Sequence, residues 1–222
     1  MTLNGVTFDL LLADEDAKLN LNSVYHHVGK QQAQASIATI IGPGGARTVR
    51  LVPAVKPMLL SREQPRTRTE TDDESTEPVI PDAFRSWGEV FDLGALETQF
   101  GSDAALPNLT TDITCWGNGQ LNIRRASDQA ILAVADSVVQ DGGAQKLLKR
   151  FRSSPMVSLS VLLRTEISGG RNRERMSELM AEISTNFSLW IDASSKGRGS
   201  QRYLTVMRRD EEGVTRQTNF AH

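Results

Sequence analysis

Residues 8–22 read FDLLLADEDAKLNLN and combine three different signals. Apolar residues alternate between Val6 and Leu12, which is the period of a half-buried strand. The acidic run Asp14-Glu15-Asp16 then ends the strand, and a Leu-Asn repeat follows at residues 19–22. The stretch therefore predicts a strand, a turn and a corner from which a helix begins.

The acidic run Asp14-Glu15-Asp16 is interpreted as a solvated loop. Carboxylates are calcium ligands, but these three lack the spaced ligands and the glycine of an EF-hand. A second acidic stretch, Glu70 to Glu77, lies in a segment that would lose conformational entropy on wrapping an ion. The sequence therefore assigns no metal ligands.

The Leu-Asn pattern occurs twice. Residues 18–22 read KLNLN and residues 120–124 read QLNIR, and a predicted helix follows each within a few residues. Asparagine suits such a junction because its side chain mimics a backbone turn or caps exposed helix N–H groups. We therefore expect Asn20 or Asn22, and Asn122, to be buried structural joints with side-chain bonds to backbone groups.

Composition narrows the functional classes. The chain has 222 residues, 39% of them hydrophobic and 23% charged, which is typical of a folded, water-soluble protein. Its net charge of -2 disfavours general nucleic-acid binding, which needs an excess of cations. The longest apolar run, Val157 to Leu163, is too short to cross about 30 Å of hydrocarbon. A single cysteine, Cys115, excludes an internal disulfide and a multi-cysteine zinc site.

The middle of the chain is predicted to be helical and the last third to be mixed. Helices are predicted at Ser23–Ile41, from Trp87 to Gly101, at Ser127–Val139, at Gly143–Phe151 and around Met176–Ile183. The first is expected to stop at Gly42-Pro43-Gly44-Gly45, and Ser127 is expected to be the N-cap of the third. Strands are predicted at Phe187–Ile191 and Tyr203–Met207, with a hairpin loop at Lys196–Ser200 and turns at Leu106–Asn108 and Glu212-Gly213.

One long segment lacks the composition of a packed structure. Residues 61–82 hold three prolines and seven acidic against three basic side chains, with almost no apolar residue before Val79. Such a segment buries too little apolar surface to offset the cost of ordering its backbone. It is predicted to be a mobile acidic loop.

The order of strand, helices and strands predicts an α+β protein whose sheet is interrupted by a helical domain. Residues 1–22 and 156–222 are expected to form one discontinuous domain, and residues 23–155 an inserted all-helical domain. The first strand, within residues 1–22, is expected to pair with the strands between Phe187 and Met207.

No residue pattern predicts catalysis. Cys115 with His26 or His27 as a base carries no family signature, and a lone cysteine is usually a small buried hydrophobe. Adjacent histidines lie about 100° apart on a helix, which is poor geometry for one metal ion. Residues 42–45 lack the Lys-Ser/Thr of a phosphate-binding loop. We therefore expect a protein that is not an enzyme.

Three landmarks resemble one family. Residues 8–22 resemble the first periplasmic strand of K-type minor pseudopilins of the bacterial type II secretion system, with its acidic turn and GKINLN corner. Residues 121–132, LNIRRASDQAIL, resemble the later INVNTA segment of that family, and residues 183–206 resemble its closing S-x-x-F strand hairpin. The residues that carry the resemblance are Asp14, Glu15, Lys18, Asn20, Asn22, Asn122, Ala126 and Phe187.

The resemblance implies a pseudopilin-like antiparallel β-sheet with a large inserted helical domain of the SAM-like or helix-hairpin-helix-like kind. It implies a structural subunit at the pseudopilus tip that assembles with I-type and J-type minor pseudopilins and serves protein secretion. It also implies a periplasmic region of a protein anchored in the inner membrane. Neither a cofactor nor nucleic acid is expected, although some tip subunits of the family bind calcium in the inserted domain.

The alternative is a helix-hairpin-helix nucleic-acid-binding module, because an INxNTA-like segment before a helical hairpin also marks that class. Residues 121–150 would form the hairpin. Its connection, residues 137–143, is bulkier and contains an acid, whereas such modules use a short glycine-bearing turn whose amides approach phosphates. Four basic side chains near the end of the second helix could contact phosphates: Lys146, Lys149, Arg150 and Arg152. Cations at a helix C-terminus also stabilise the helix dipole, and this structural interpretation is favoured.

Overall fold

The computed structural model describes residues 1–3, 5–59, 80–101, 109–139, 142–195, 199–210 and 213–221. Its strands form one five-stranded sheet and two short parallel pairs. The strands are β1 (Thr2–Leu3), β2 (Val6–Asp14), β3 (Leu19–Asn20), β4 (Ile113–Thr114), β5 (Leu121–Asn122), β6 (Met180–Ala181), β7 (Asn186–Ser195), β8 (Gly199–Asp210) and β9 (Gly213–Ala221).

The large sheet is antiparallel and has the strand order β1-β2-β7-β8-β9. Strand β2 pairs with β7 along its whole length, from Val6 opposite Ser195 to Asp14 opposite Phe187. The expected pairing of the first strand with the strands near the end of the chain is confirmed. Strands β1 and β9 extend the sheet at its two edges beyond the strands predicted from the sequence.

The short parallel pairs coincide with the two Leu-Asn segments. Leu19-Asn20 forms β3 and pairs with β4, and Leu121-Asn122 forms β5 and pairs with β6. Each segment also precedes a helix, so the repeated pattern corresponds to two structurally related corners. The limits of the predicted domains, 1–22 with 156–222 and 23–155, stay a prediction.

The helices lie between β3 and β6 in the chain. They are α1 (Leu21–Val28), α2 (Lys30–Ala46), α3 (Trp87–Val90), α4 (Leu93–Phe100), α5 (Asp128–Val138), α6 (Gly143–Ser153), α7 (Leu159–Glu166) and α8 (Gly170–Leu179). Helix α5 occupies the centre and contacts α1, α2, α6 and α8. Its buried stripe consists of alanines and branched residues, which allows neighbouring helices to approach closely: Ala130, Ile131, Ala133, Val134, Ala135 and Val138.

Three predicted helices have different limits in the structure. The helix predicted from Trp87 to Gly101 is divided into α3 and α4, because the backbone is extended at Phe91 and Asp92. The helix predicted at Ser23–Ile41 is divided at Gly29, whose φ of +83° favours glycine. The expected stop at Gly42 is a kink with a φ of +75°, and the helical turn that follows reaches Ala46. The helix predicted around Met176–Ile183 ends at Leu179, because the next two residues pair as β6.

Ser127 caps α5 as expected, since its side-chain oxygen accepts from the backbone N–H of Ala130 at 3.2 Å. Helix α7 was not predicted, because the serines within its apolar run obscure the helical period. The helices and the short strands share one apolar core that includes Leu19, Leu21, Ile131 and Leu162. No helix in the described part of the chain is long and apolar enough to span a bilayer.

Some predicted segments lie outside the described residues. Most of the acidic loop 61–82 falls there, as do the turn at 106–108, most of the hairpin loop at 196–200 and one residue of the turn at 212–213. The predictions made for them stay predictions.

Candidate functional site

The acidic run Asp14-Glu15-Asp16 is not a solvated loop, and that prediction is wrong. It ends β2 and continues into a 3-10 turn, Glu15–Ala17. The residues Glu15 and Asp16 are only 1% and 2% exposed. Burial of carboxylates is tolerated here because donors from three other segments surround them.

Glu15 connects the turn to two strands. Its carboxylate accepts from Lys18 Nζ at 2.7 Å, from the hydroxyl of Thr114 on β4 at 2.5 Å and from the hydroxyl of Ser188 on β7 at 2.5 Å. These charge-assisted bonds join segments that are about a hundred residues or more apart in the sequence. Glu15 therefore ties the large sheet to a short parallel pair.

Asp16 fixes the start of β7. Its carboxylate accepts from the backbone N–H groups of Thr185 and Asn186 at 2.7 and 3.0 Å, and from Asn186 Nδ2 at 3.0 Å. Burial raises the pKa of Asp16, and the bonds from Thr185 and Asn186 oppose that shift. Every one of these partners is a donor, so the ionised carboxylate fits the site.

The first asparagine corner holds α1 by both of its side chains. Asn20 Oδ1 accepts from the N–H of Ser23 at 2.9 Å and so caps α1, while its Nδ2 donates to the carbonyl of Trp116 at 2.8 Å. Asn22 Oδ1 accepts from the N–H groups of Ala83 and Phe84 at 2.9 and 2.7 Å. Its Nδ2 donates to the carbonyls of Phe84 and Cys115.

The second corner touches the acidic turn. Asn122 Oδ1 accepts from the N–H of Arg124 at 3.0 Å, and its Nδ2 donates to the hydroxyl of Ser184 at 2.7 Å. The same hydroxyl donates to Asp14 Oδ2 at 2.7 Å. Because Ser184 bridges Asn122 and Asp14, the two corners meet at one place.

We call this network the polar joint, which consists of Asp14, Glu15, Asp16, Lys18, Asn20, Asn22, Thr114, Asn122, Ser184, Thr185, Asn186 and Ser188. Of the other residues that carry the resemblance, Ala126 is buried and its carbonyl accepts from Arg152 at 3.3 Å. Phe187 is half-buried opposite Asp14. Sequence reasoning missed the hydroxyl and amide donors; the polar run at residues 184–186, where β7 begins, is a signal for three of them.

One face of the large sheet exposes apolar side chains. Residues directly opposite each other on paired strands share a face. Leu10 lies opposite Ile191, which lies opposite Tyr203, and Leu12 lies opposite Leu189. We call this surface the open face, and it consists of Phe8, Leu10, Leu12, Leu189, Ile191 and Tyr203.

The two faces differ in exposure at β8 but not at β2. Leu10 is 55%, Leu12 64% and Tyr203 39% exposed, whereas Leu204 and Val206 on the opposite face are each 1% exposed. The prediction that the alternating apolar side of β2 is buried is therefore wrong for Leu10 and Leu12. Leu11, on the opposite side of β2, is 63% exposed, so both sides of this part of the strand are accessible.

Cys115, the candidate nucleophile, is buried in the core, and its candidate bases His26 and His27 are buried as well. Burial, and then the nearby carboxylates of Glu89, Glu15 and Asp82, raise the pKa of the Cys115 thiol well above its ordinary value. A neutral thiol is a poor nucleophile.

Both nitrogens of His26 contact backbone: Nδ1 accepts from the N–H of Met58 at 3.2 Å, and Nε2 lies 2.8 Å from the carbonyl of Pro81. Burial, and then the charges of Arg175 and His26, lower the pKa of His27 to about 4. Within the described ranges, no group of three or more His, Cys, Asp or Glu side chains is arranged to hold a metal ion.

Comparison with known proteins finds a likeness among the solved structures. No protein-family model matches the sequence. No curated protein matches it either. The fold is similar to a chain of the crystal structure of the GspK-GspI-GspJ complex from the enterotoxigenic Escherichia coli type 2 secretion system, with a TM-score of 0.51 and 15% identity over 100% of this chain and 82% of that chain.

At 15% identity, this likeness is evidence for the fold alone. It does not support the helix-hairpin-helix alternative. The chain has a GspK-like α+β fold over its whole length.

Proposed function

We propose that this protein is a structural minor pseudopilin of the K type, which takes part in protein secretion by assembling with other minor pseudopilins at the tip of a type II secretion pseudopilus. The observation that carries the proposal is the GspK-like fold over the whole chain. The solved neighbour is a complex of GspK with GspI and GspJ. I-type and J-type minor pseudopilins are therefore the partners that we propose.

The open face supplies a surface suited to assembly. Its six members are apolar or aromatic, and they share this side of the sheet with Ala193 and Thr205. Leu10, Leu12 and Tyr203 are exposed, and Phe8, Leu189 and Ile191 are half-buried. Contiguous exposed apolar side chains on a folded protein mark interaction sites, because water contact with them is unfavourable. We propose that one of the partner pseudopilins covers this surface.

The polar joint gives the open face a fixed position. Asp14 ends β2 two residues after Leu12, and Glu15 and Asp16 begin the turn that follows; their bonds hold the end of β2 near β4 and the start of β7. A rigid surface binds a partner with less loss of conformational entropy than a mobile one. The joint would thus orient the helical part relative to the sheet in the assembled tip.

The proposal needs neither a catalytic group nor a cofactor, and calcium binding by the helical part stays open. We propose further that the chain is the periplasmic region of a protein anchored in the inner membrane. Sequencing the reading frame upstream of Met1 tests the anchor: a prepilin cleavage site followed by about twenty apolar residues supports it.

Co-purification tests the proposed function. The chain is expressed with a cleavable tag beside the I-type and J-type minor pseudopilins encoded next to it, and the complex is isolated by affinity and size-exclusion chromatography. We expect a stoichiometric complex that survives about 0.5 M salt, because apolar contacts are screened little by ions. Failure to associate at tens of micromolar, together with salt-sensitive binding to DNA, would support the nucleic-acid module instead.

A further inference from the structure

A cavity of about 480 Å³ lies among the helices, on different secondary-structure elements from the open face. The end of α5 contributes Val138 and Val139 to its lining, and the residue after α7 contributes Ile167. Helix α8 contributes Arg171, Asn172 and Arg175. The volume falls within the range of small-molecule sites, roughly 300–1,000 Å³. The lining therefore combines an apolar wall with two guanidinium groups one helical turn apart.

The positive charge of Arg175 is incompletely balanced. Its Nη2 donates to the carbonyl of His27 at 3.4 Å, while its buried Nε has no hydrogen-bond partner among the residues that the structure describes. Burial, and then the charge of Arg171, lower the pKa of Arg175, and Glu178 opposes that shift. A half-buried guanidinium beside a second one is stabilised by an anion.

The carboxylate that lines the cavity is already engaged elsewhere. Glu166 lies 3.9 Å from Arg150 Nε and forms an ion pair with that residue of α6. Two arginines of α8 and one glutamate thus line the same cavity.

The N-terminal end of α6 lies beside the same cavity. Gly143 lines the cavity and begins α6, whose N-cap, Gly142, provides no side-chain hydrogen bond. The first N–H groups of a helix lack intrahelical acceptors and carry the positive end of the helix dipole. Such a helix end next to arginines favours an oxyanion.

We infer that this cavity binds a small molecule through a phosphate-type oxyanion, which Arg171, Arg175 and the first turn of α6 would hold. The guanidinium fork matches the oxygens of a phosphate group, and this match gives arginine its preference for such anions. The apolar residues Val138, Val139 and Ile167 would contact the organic part of the ligand. The inference is independent of the proposed assembly through the open face.

Thermal unfolding of the full chain measures binding, with inorganic phosphate and glycerol 2-phosphate as probes. Sodium chloride at matched ionic strength and sodium acetate are the reference salts. For a dissociation constant of about 1 mM, roughly 20 mM phosphate is expected to raise the Tm by about 5 °C. A larger rise with glycerol 2-phosphate than with phosphate would identify the small phosphate ester as the better ligand, and the reverse result would identify the free ion.

Variants separate this site from a general salt effect. Arg175→Gln and Arg171→Gln are each expected to weaken phosphate binding about tenfold. Arg164→Gln on α7, an exposed arginine that does not line the cavity, is the matched control and should bind as the wild type does. Arg171 is exposed, so its variant keeps the test valid if Arg175→Gln fails to fold. Equal Tm shifts in phosphate, acetate and chloride, or unchanged binding by Arg171→Gln, would overturn the inference.

Discussion

Strand β2 and the turn that follows it show opposite relations between polarity and burial. Leu10, Leu11 and Leu12 of β2 are more than half exposed, whereas Glu15 and Asp16 of the turn are almost fully buried. Ordinary burial preferences would reverse this arrangement. The difference indicates that the buried turn connects distant segments of the fold, while the leucines of β2 remain accessible.

The largest effect is expected from removing a buried carboxylate of the polar joint. Asp16→Ala leaves the N–H groups of Thr185 and Asn186 without their acceptor, and we expect a loss of about 3–5 kcal/mol in the free energy of unfolding. Chemical denaturation followed by circular dichroism measures it. Asp9→Ala, an exposed carboxylate on the same strand, should change stability by less than about 0.5 kcal/mol. Equal stabilities of the two variants would remove the distinction between β2 and the turn that follows it.

The asparagine corners should differ from each other in a predictable way. Asn22→Ala removes four side-chain bonds to backbone, and Asn122→Ala removes one to backbone and one to Ser184. We expect losses of about 3 and about 1–2 kcal/mol respectively. Gln32→Ala, at an exposed position on α2, is the control. An Asn122→Ala protein with an unchanged Tm but no partner binding would show that this corner is a binding element and not a joint.

The pH dependence of stability tests the burial of His27. Its folded pKa of about 4 lies below the ordinary value of 6.5, so between these values the unfolded chain binds a proton that the folded chain does not. The free energy of unfolding should therefore fall by up to about 3 kcal/mol as the pH drops from about 7 to about 4.

Other groups contribute to the same profile with defined signs. Burial also lowers the pKa of His26, which adds to the fall, whereas the raised pKa of Asp16 acts against it. The comparison with His27→Gln isolates the contribution of His27, and its profile should be flatter than that of the wild type. Profiles with the same slope would contradict the assignment.

The smallest effect on stability is expected at the open face. The double variant Leu10→Ser/Leu12→Ser changes side chains that are mostly exposed, so the free energy of unfolding should change by less than about 1 kcal/mol. Thermal unfolding of the isolated protein checks this expectation. A large destabilisation would mean that these leucines support the fold of the chain itself.

The sequence predicted most of the fold because local signals agreed with the final structure. The pairing of β2 with β7 and the cap at Ser127 follow from alternation and capping chemistry. Helix α7 was missed because serines interrupt its apolar run. The end of α8 was misplaced because two residues that fit a helical period pair instead as β6.

The candidate site was less predictable from the sequence. Asp14, Glu15 and Asp16 look like surface residues, since their partners Thr114, Ser184 and Ser188 are distant in the sequence and carry no motif. Periodicity predicts which residues of a strand share a face, but it does not tell whether that face is covered. The exposure of Leu10 and Leu12 could be learned only from the three-dimensional arrangement.

Titration of the I-type and J-type partners into the purified chain tests the central claim most directly. Isothermal titration calorimetry compares the wild type with Leu10→Ser/Leu12→Ser and with Leu93→Ser, an exposed apolar residue on α4. If the open face binds the partners, the double variant should lose at least about tenfold in affinity while keeping the Tm of the wild type, and Leu93→Ser should bind normally. Wild-type affinity in the double variant would contradict assembly through the open face.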